Sequence, residues 1–473
     1  MEKIPSEKPD IEIVEHIEPI QEAVDPDFEK KIIRRIDWRL LPLMSALYSV
    51  SLMDRSNLSV ARTAGMGEDL NLTVSNRYST VSCLYFVPYI LFQLPSNVLL
   101  RFFGVRVWLT ICVSGWGAVQ LGMGFVRTWG QLALCRVLLG LFEAGFFPAL
   151  VFVITTWYKR HEVQKRLAVF YLSSIVIGGF SGIIGYAITF LKGKSGLNSW
   201  NWIFIVEGIL TLVLAIFNQL FISDFPQKNT FLTAKQTRFI LARVENDRGD
   251  SVPDEITVSK VLHHLSDWTI WACALMFMSS TMPAYAIAYF VTIILNSMGW
   301  GVKASLLLTT PPYVFAAISC FIFAWMSDKT KRRAPFIAVQ ALMTITGIAV
   351  TGYAEKNGPR YFGLFLANAG ASGCIPSVLA YSSNNIVSHS KRAVSTAIVI
   401  SAGGVGGIFA TTVFREQDFP RYLNGIWATI GCQILILVLL ALTSWNFARK
   451  NRLLKEGKIA GPLEGQPGFF YTL

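Results

Sequence analysis

NGIWATIGCQILILVLLALTSWNF, residues 424–447, runs for 24 residues without an acidic, basic or histidine side chain. As a helix rising 1.5 Å per residue it would extend about 36 Å, enough to cross the ~30 Å hydrocarbon core of a bilayer. It lacks the in–out alternation, in segments of about ten residues, that marks a membrane β-strand. Stretches of this kind recur along the whole chain. They fall near residues 40–58, 78–100, 107–126, 130–157, 167–191 and 202–223, then near 268–295, 304–327, 335–354, 360–383, 393–414 and 424–447. Composition agrees: 53% of the 473 residues are hydrophobic against 15% charged, too apolar for a soluble protein of this length. The expected class is an all-α integral membrane protein with twelve transmembrane helices in two six-helix halves.

The segments between the spans divide the chain further. Residues 1–37 read as a disordered tail rich in Glu, Asp and Pro with no secretory signal pattern, although Phe28, Ile32, Ile33 and Ile36 give Asp27–Arg39 the spacing of an amphipathic helix. The halves occupy 38–223 and 268–448, a polar central loop 224–267 and a short basic tail 449–473. Most of the 42 Lys and Arg fall on the side that holds both tails and the central loop, so both termini are expected in the cytoplasm. The net charge of +12 is thereby a topology signal and calls for no nucleic acid.

A weak internal repeat supports the division into halves. NVLLRFFGVR (Asn97–Arg106) follows the second span as AWMSDKTKRR (Ala324–Arg333) follows the eighth. Lys165 and Arg166 precede a helix with Gly178 and Gly182, as Lys391 and Arg392 precede one with Gly403 and Gly407. A single GxxxG spacing is ordinary helix packing, but two at matching positions describe a six-plus-six transporter whose halves rock about a midplane site.

Charges inside spans are costly and point to function by default. Asp54 and Arg55 lie in the first span and Arg136 and Glu143 in the fourth, with Gly140 between them on one stripe. At 1.5 Å per residue Asp54 is ~22 Å from the inner end of its helix and Glu143 ~20 Å from the outer end of its own. These four could simply pair with one another and fix helix register. The functional reading gives Arg55, a planar permanent cation, to a substrate carboxylate, makes Asp54 and Glu143 the proton carriers, and lets Arg136 modulate Glu143. Two acids motivate the expectation of more than one proton per monovalent substrate. The second half offers only neutral polar and aromatic groups, of which Tyr285, Tyr289 and Asn368 are substrate-site candidates with interhelical hydrogen bonding as their ordinary role.

LMDRSNLSVAR (Leu52–Arg62), FQLPSNVLLRFFGVRVWL (Phe92–Leu109), CRVLLGLFEAGFFPAL (Cys135–Leu150) and NWIFIVEG (Asn201–Gly208) together resemble the anion:cation symporter family of the major facilitator superfamily. SDFPQKNTFLT (Ser223–Thr233), SNNIVSHSKRAVSTA (Ser383–Ala397) and DFPRYLNG (Asp418–Gly425) resemble its fungal branch of allantoate, nicotinate and pantothenate permeases. The resemblance implies the major facilitator fold and proton-coupled symport of a small organic anion. It assigns protonation to Asp54 and Glu143 and anion contact to Arg55, matches Arg136 to the family's fourth-span arginine, and puts Tyr89 on the cavity. Asp328, Lys329 and Arg332 match the superfamily's gating-loop motif, whose first-half copy here departs by having Arg101 where the acid would stand.

A nutrient sensor of the same ligand class would share such a pocket but needs a signalling tail. An enzyme is the weakest reading, because His16, His161, His263, His264 and His389 lie in tails or loops and the seven cysteines show no ligand spacing. No cofactor or metal is expected beyond protons as the coupling ion. The other expectations are a lipid bilayer around a monomer, and the plasma membrane as location, with an internal membrane as the alternative.

Overall fold

The computed structural model describes residues 26–248, 258–386, 388–415, 418, 421–458, 462–465 and 469–472, most of them helical. The first half comprises α1 (Pro26–Ala61), α2 (Arg77–Leu84 and Phe86–Phe103), α3 (Val105–Met123), α4 (Trp129–Glu143 and Phe146–Trp157), α5 (Arg160–Gly179 and Ser181–Thr189) and α6 (Ser199–Phe221). Two shorter helices follow, α7 (Ala234–Arg248) and α8 (Val258–Leu265). The second half comprises α9 (Trp268–Ser297), α10 (Val302–Leu307 and Thr310–Thr330), α11 (Ala334–Tyr353), α12 (Asn357–Asn384), α13 (His389–Val413) and α14 (Leu423–Lys455). Among the described residues nine of these rods are long and apolar enough to cross a membrane, and α1, α2 and α3 complete the twelve expected. Large apolar side chains such as Phe102, Phe190, Leu91 and Trp445 face outward while Asp54, Arg136 and Glu143 are buried, the inverse of a water-soluble protein.

Three boundaries change. The amphipathic stretch from Asp27 is helical and continuous with the first span, so the tail limit at residue 37 falls inside α1; residues 1–25 lie outside the described residues. The central segment 224–267 is not simply a loop, since it contains α7 and α8. The limit at 448 likewise falls inside α14, and beyond it Tyr471 stacks on Phe447 at 4.4 Å.

Segments near the termini are tied to separate halves. On α7, Arg243 donates from Nε to Glu29 at 2.6 Å and from both Nη atoms to Glu162 at 2.9 and 2.5 Å, while Arg166 grips Asp37 through two bonds of 2.7 and 3.0 Å. At the second half Lys391 bonds Asp267 at 2.7 Å and Glu464 at 2.9 Å. Burial pushes the Glu162 and Asp267 carboxyls up, but the bonds from Arg243 and Lys391 outweigh it and hold both below their usual range. Carboxylates held low in the folded state stabilise it above their unfolded pKa and lose that contribution only as pH falls through the folded value, so both ties persist through neutral pH.

The repeat appears as two matching interfaces between the halves. Gly182 of α5 lies against the Leu306 carbonyl and Thr309 of α10, and Gly407 of α13 lies against Phe86 of α2; neither position has room for a Cβ. One residue after the first glycine of each GxxxG pair, a Cβ on Gly179 would meet Tyr313 at 2.5 Å and one on Gly404 would meet Ile90 at 2.6 Å. Each half thus offers one small-residue helix to the other.

Hydrogen bonds between the halves lie at the midplane and toward the face opposite the termini. Ser59 and Thr292 hydroxyls are 2.5 Å apart, Thr63 donates to Thr292 at 3.0 Å, Tyr78 to the Tyr289 carbonyl at 2.7 Å, Ser79 to the Phe414 carbonyl at 3.0 Å and Thr310 to the Gly179 carbonyl at 2.8 Å. At the face of the termini, the ion pairs among the described residues stay within one half and its attached segment. Asp328, in the last turn of α10, is largely exposed and bonded to Arg333 at 2.8 Å, and Lys329 lies over Trp325, so the expected loop motif begins on the helix. The molecule is therefore closed on the far face. Reopening that face must separate Ser59 from Thr292. A Ser59→Cys/Thr292→Cys pair should oxidise to a disulfide and stop uptake, with recovery on reduction; full uptake by the cross-linked protein would show that this contact never opens.

Candidate functional site

Neighbouring residues on a helix point about 100° apart, and this separates Asp54 from Arg55. Arg55 turns toward α4, where its Nη2 and Nε donate to Glu143 Oε1 at 2.6 and 3.1 Å. Ser51 donates to the same oxygen and Tyr85 to Oε2 at 2.6 Å, so Glu143 is held by three side chains. Asp54 turns the other way and accepts from Trp116 at 2.6 Å, Gln120 at 2.9 Å and Asn57 at 3.3 Å.

Local backbone features make the first cluster possible. The backbone of α4 stays right-handed helical through Ala144 and Gly145, immediately after Glu143, as that of α2 does through Tyr85, three residues before Pro88. One turn before Glu143, Gly140 lies directly against the Tyr85 carbonyl, which brings the Tyr85 hydroxyl within reach of the acid. Any side chain at Gly140 would push α2 away.

Arg136 shares a stripe with Glu143 but does not bond it. Two turns put them ~10 Å apart along the axis, and Arg55 already occupies the acid. Arg136 is fully buried and donates from Nη2 to the Tyr289 hydroxyl at 3.3 Å, while its Nε and Nη1 have no partner. Its guanidinium lies over the rings of Tyr85 and Tyr289 at 5.5 and 5.7 Å, and that of Arg55 over Tyr85 and Tyr89 at 5.6 and 5.4 Å. Tyr285 accepts from Arg55 Nη1 at 3.3 Å. The two α9 tyrosines of the second half therefore close over the two arginines of the first.

The sequence candidates Asp54, Arg55, Arg136, Glu143, Tyr89, Tyr285 and Tyr289 thus meet in one region. Asn368 stands apart among the described contacts, accepting from Ser372 at 3.3 Å with its own Nδ2 unpartnered.

The model of the Major Facilitator Superfamily matches residues 44–411, well over half of the chain. The chain belongs to that superfamily. It is 31% identical to the MFS transporter prlL of a fungal species, over 95% of this chain and 92% of that protein. Its identity is 31% to the major facilitator-type transporter hxnP of Emericella nidulans, over 92% of this chain and 89% of that one. With the high-affinity nicotinic acid transporter of Saccharomyces cerevisiae it shares 29%, over 89% and 79%. Among solved structures, the partially occluded inward-open xylose transporter XylE of E. coli superposes with a TM-score of 0.66 at 14% identity, covering 87% of this chain and 99% of that chain. A bacterial homologue of the human lysosomal transporter Spinster gives 0.64 at 14% identity, covering 88% and 96%. The protein is a multi-pass transporter of this superfamily, as its named fungal relatives are, and not an enzyme.

Four features of this superfamily member escaped the sequence reading. Tyr85 is neutral and drew no attention, although it lies one helical turn before Tyr89 on the same face. Trp116 and Gln120 are polar groups inside a span without charges. Glu207 of α6 is buried within hydrogen-bonding reach of Asp54, an intramembrane acid carried by NWIFIVEG. The fourth concerns the gating loop of the first half, where Arg101 stands in the acidic position. Asp224, just beyond α6, accepts from the Val105 amide at 3.0 Å and so supplies a carboxylate to the start of α3 beside Gly104, whose φ of +80° favours glycine. Gly140→Val should leave little monodisperse protein by fluorescence size-exclusion chromatography, because α2 cannot retreat without breaking the Tyr85–Glu143 bond; normal yield would show that the close approach is dispensable.

Proposed function

We propose that the chain is a proton-coupled symporter of a small organic anion, with an aromatic monocarboxylate of the nicotinate type as first candidate ahead of allantoate and pantothenate. One observation carries this reading: Arg55 is already bonded to a carboxylate that can take a proton, while Arg136 beside it is a buried cation with no carboxylate at all. An unpaired buried charge is expensive, so Arg136 favours an incoming anion. The Tyr85, Tyr89, Tyr285 and Tyr289 rings around both arginines favour a planar substrate, and the yeast relative named as a nicotinic acid transporter supports the same choice.

Coupling follows from competition for Arg55. When a substrate carboxylate takes the guanidinium, Glu143 loses its counter-charge in a low-dielectric interior and binds a proton; when the proton leaves, Glu143 reclaims Arg55 and expels the anion. Asp54 stays close enough to act on Glu143 electrostatically. With Glu143 already neutralised by Arg55, a monoanion needs only one proton, in place of the larger number that two independent acids implied. Uptake is then electroneutral, and the pH gradient drives it about tenfold per unit. Both termini lie in the cytoplasm and the plasma membrane is the working location, so the present state opens inward. Asp328, Lys329 and Arg332 act at the inner gate, and the transporter works as a monomer.

Labelled nicotinate uptake in proteoliposomes, competed by allantoate and pantothenate, tests the substrate class. Arg55→Ala should abolish uptake with folded protein retained, and Arg136→Ala should raise KM by ~10–100-fold, the worth of a charge-assisted hydrogen bond. Glu143→Gln, which frees Arg55 permanently, should retain substrate exchange and lose accumulation driven by pH. Wild-type behaviour of any of these variants removes that residue from the mechanism. Solid-supported membrane recordings should show no substrate-induced current, and a sustained inward current would require extra protons. Ligand binding without uptake by the wild-type protein would favour the sensor reading.

A further inference from the structure

Glu207 is an acid the coupling scheme leaves unused. It is 1% exposed, in the middle of α6, and neither carboxyl oxygen has a hydrogen-bond donor. Helices α3 and α6 are pressed together there: a Cβ on Gly208 would meet the Leu121 amide nitrogen at 2.5 Å and one on Gly117 would meet Leu212 and Thr211 at 3.1 Å. That contact brings Glu207 of α6 and Trp116 and Gln120 of α3 around Asp54 of α1. Asp54 is within hydrogen-bonding reach of Glu207, and its other partners are the neutral N–H groups of Trp116, Gln120 and Asn57.

Both carboxyls cannot be ionised cheaply. Two like charges in contact, away from water and from any bonded cation among the described residues, pay desolvation and mutual repulsion together. The donors are also distributed unequally. Asp54 has three N–H groups turned on it and is built to be the anion; Glu207 has none and is built to be the acid. Protonated, Glu207 loses its charge and gains an O–H to donate to Asp54, the fourth donor around that carboxylate. The N–H groups turned on Asp54 also disfavour a metal cation as occupant.

We propose that Asp54 and Glu207 form a second proton-binding site, separate from Arg55–Glu143, that holds one proton throughout the transport cycle, carried by Glu207 and donated to Asp54. The other groups that bear on the pair are few. From α4, Glu143 acts on Asp54 electrostatically while bonded to Arg55. Beyond α1, Arg62 lies over the Tyr78 ring and Asp69 accepts from Asn198 and Trp200, both toward the far face. With Glu207 neutral, the remaining interior charges Asp54, Arg55, Arg136 and Glu143 sum to zero. An ionised Glu207 would leave one uncompensated negative charge beside the anion path. The resident proton thus keeps the empty site neutral and spares the incoming anion that repulsion. The inference rests on the coupling scheme only for its effect on uptake, since the protonation itself belongs to the purified protein.

Infrared difference spectroscopy on purified full-length protein at neutral pH tests it directly. The wild type should show the carbonyl stretch of a protonated carboxylic acid, shifted in heavy water, which Glu207→Gln loses and Asp54→Asn keeps. Absence of the band in the wild type, or its survival in Glu207→Gln, overturns the proposal whether or not any anion is transported. In proteoliposomes Glu207→Gln, whose amide also donates to Asp54, should still accumulate substrate against a pH gradient, whatever its rate. If it exchanges substrate but no longer accumulates it, the Glu207 proton is a transported one and the resident role is wrong. A wild type that shows the band but no proton-driven anion uptake leaves this site standing and removes the coupling scheme instead.

Discussion

The ion pair between Arg55 and Glu143 is the contact around which the first half is arranged. Placing two charges inside a bilayer-spanning bundle has a large desolvation cost, and their attraction offsets it only when the remaining hydrogen-bonding positions are also filled. Ser51 and Tyr85 fill those of Glu143, and Tyr285 and two aromatic rings surround Arg55. The backbone serves the same end. Gly140 admits α2 and so brings the Tyr85 hydroxyl to the acid. An arrangement so fully satisfied in the empty state resists a competing anion, and the proposed coupling makes its disruption the step that links binding to protonation.

The two halves contribute unequally. The ionisable groups described at the centre come from α1, α4 and α6, whereas α9 supplies hydroxyl-bearing rings that touch the arginines from across the interface. A side chain that bridges the halves senses their separation. Tyr285 and Tyr289 therefore connect occupancy of the arginines to the packing of α9 against α1, where Ser59 and Thr292 close the far face. The small-residue helices α5 and α13 give the two halves a pair of matching, close-packed contacts.

Much of this was legible in the sequence, because hydrophobic length and charge are strong one-dimensional signals. Twelve spans follow from apolar runs, and Asp54, Arg55, Arg136 and Glu143 stand out as charges within them. Partner choice was not legible. Adjacency in the chain links Asp54 to Arg55 and stripe spacing links Arg136 to Glu143, yet helical geometry turns the first two apart and keeps the second two about two turns distant. Glu207 illustrates another limit. Its meaning depends on Gly208 and Gly117 bringing α6 and α3 into contact, a three-dimensional event with only small residues as its trace. The central segment hides its helices for a different reason: α7 is polar and its support comes from contacts such as Arg243 with Glu162, distant in sequence, while α8 is only eight residues long.

Those end contacts limit how far the protein can move. Helix α7 is fastened to one half through Arg243, and Asp267, just beyond α8, to the other through Lys391. Ten peptide steps separate Arg248 from Val258, a chain that reaches at most ~35 Å when fully extended. The halves are thus joined by a short leash anchored at both ends. It sets an upper limit on how far those two anchored segments can part, one that depends on covalent length rather than on any interaction energy.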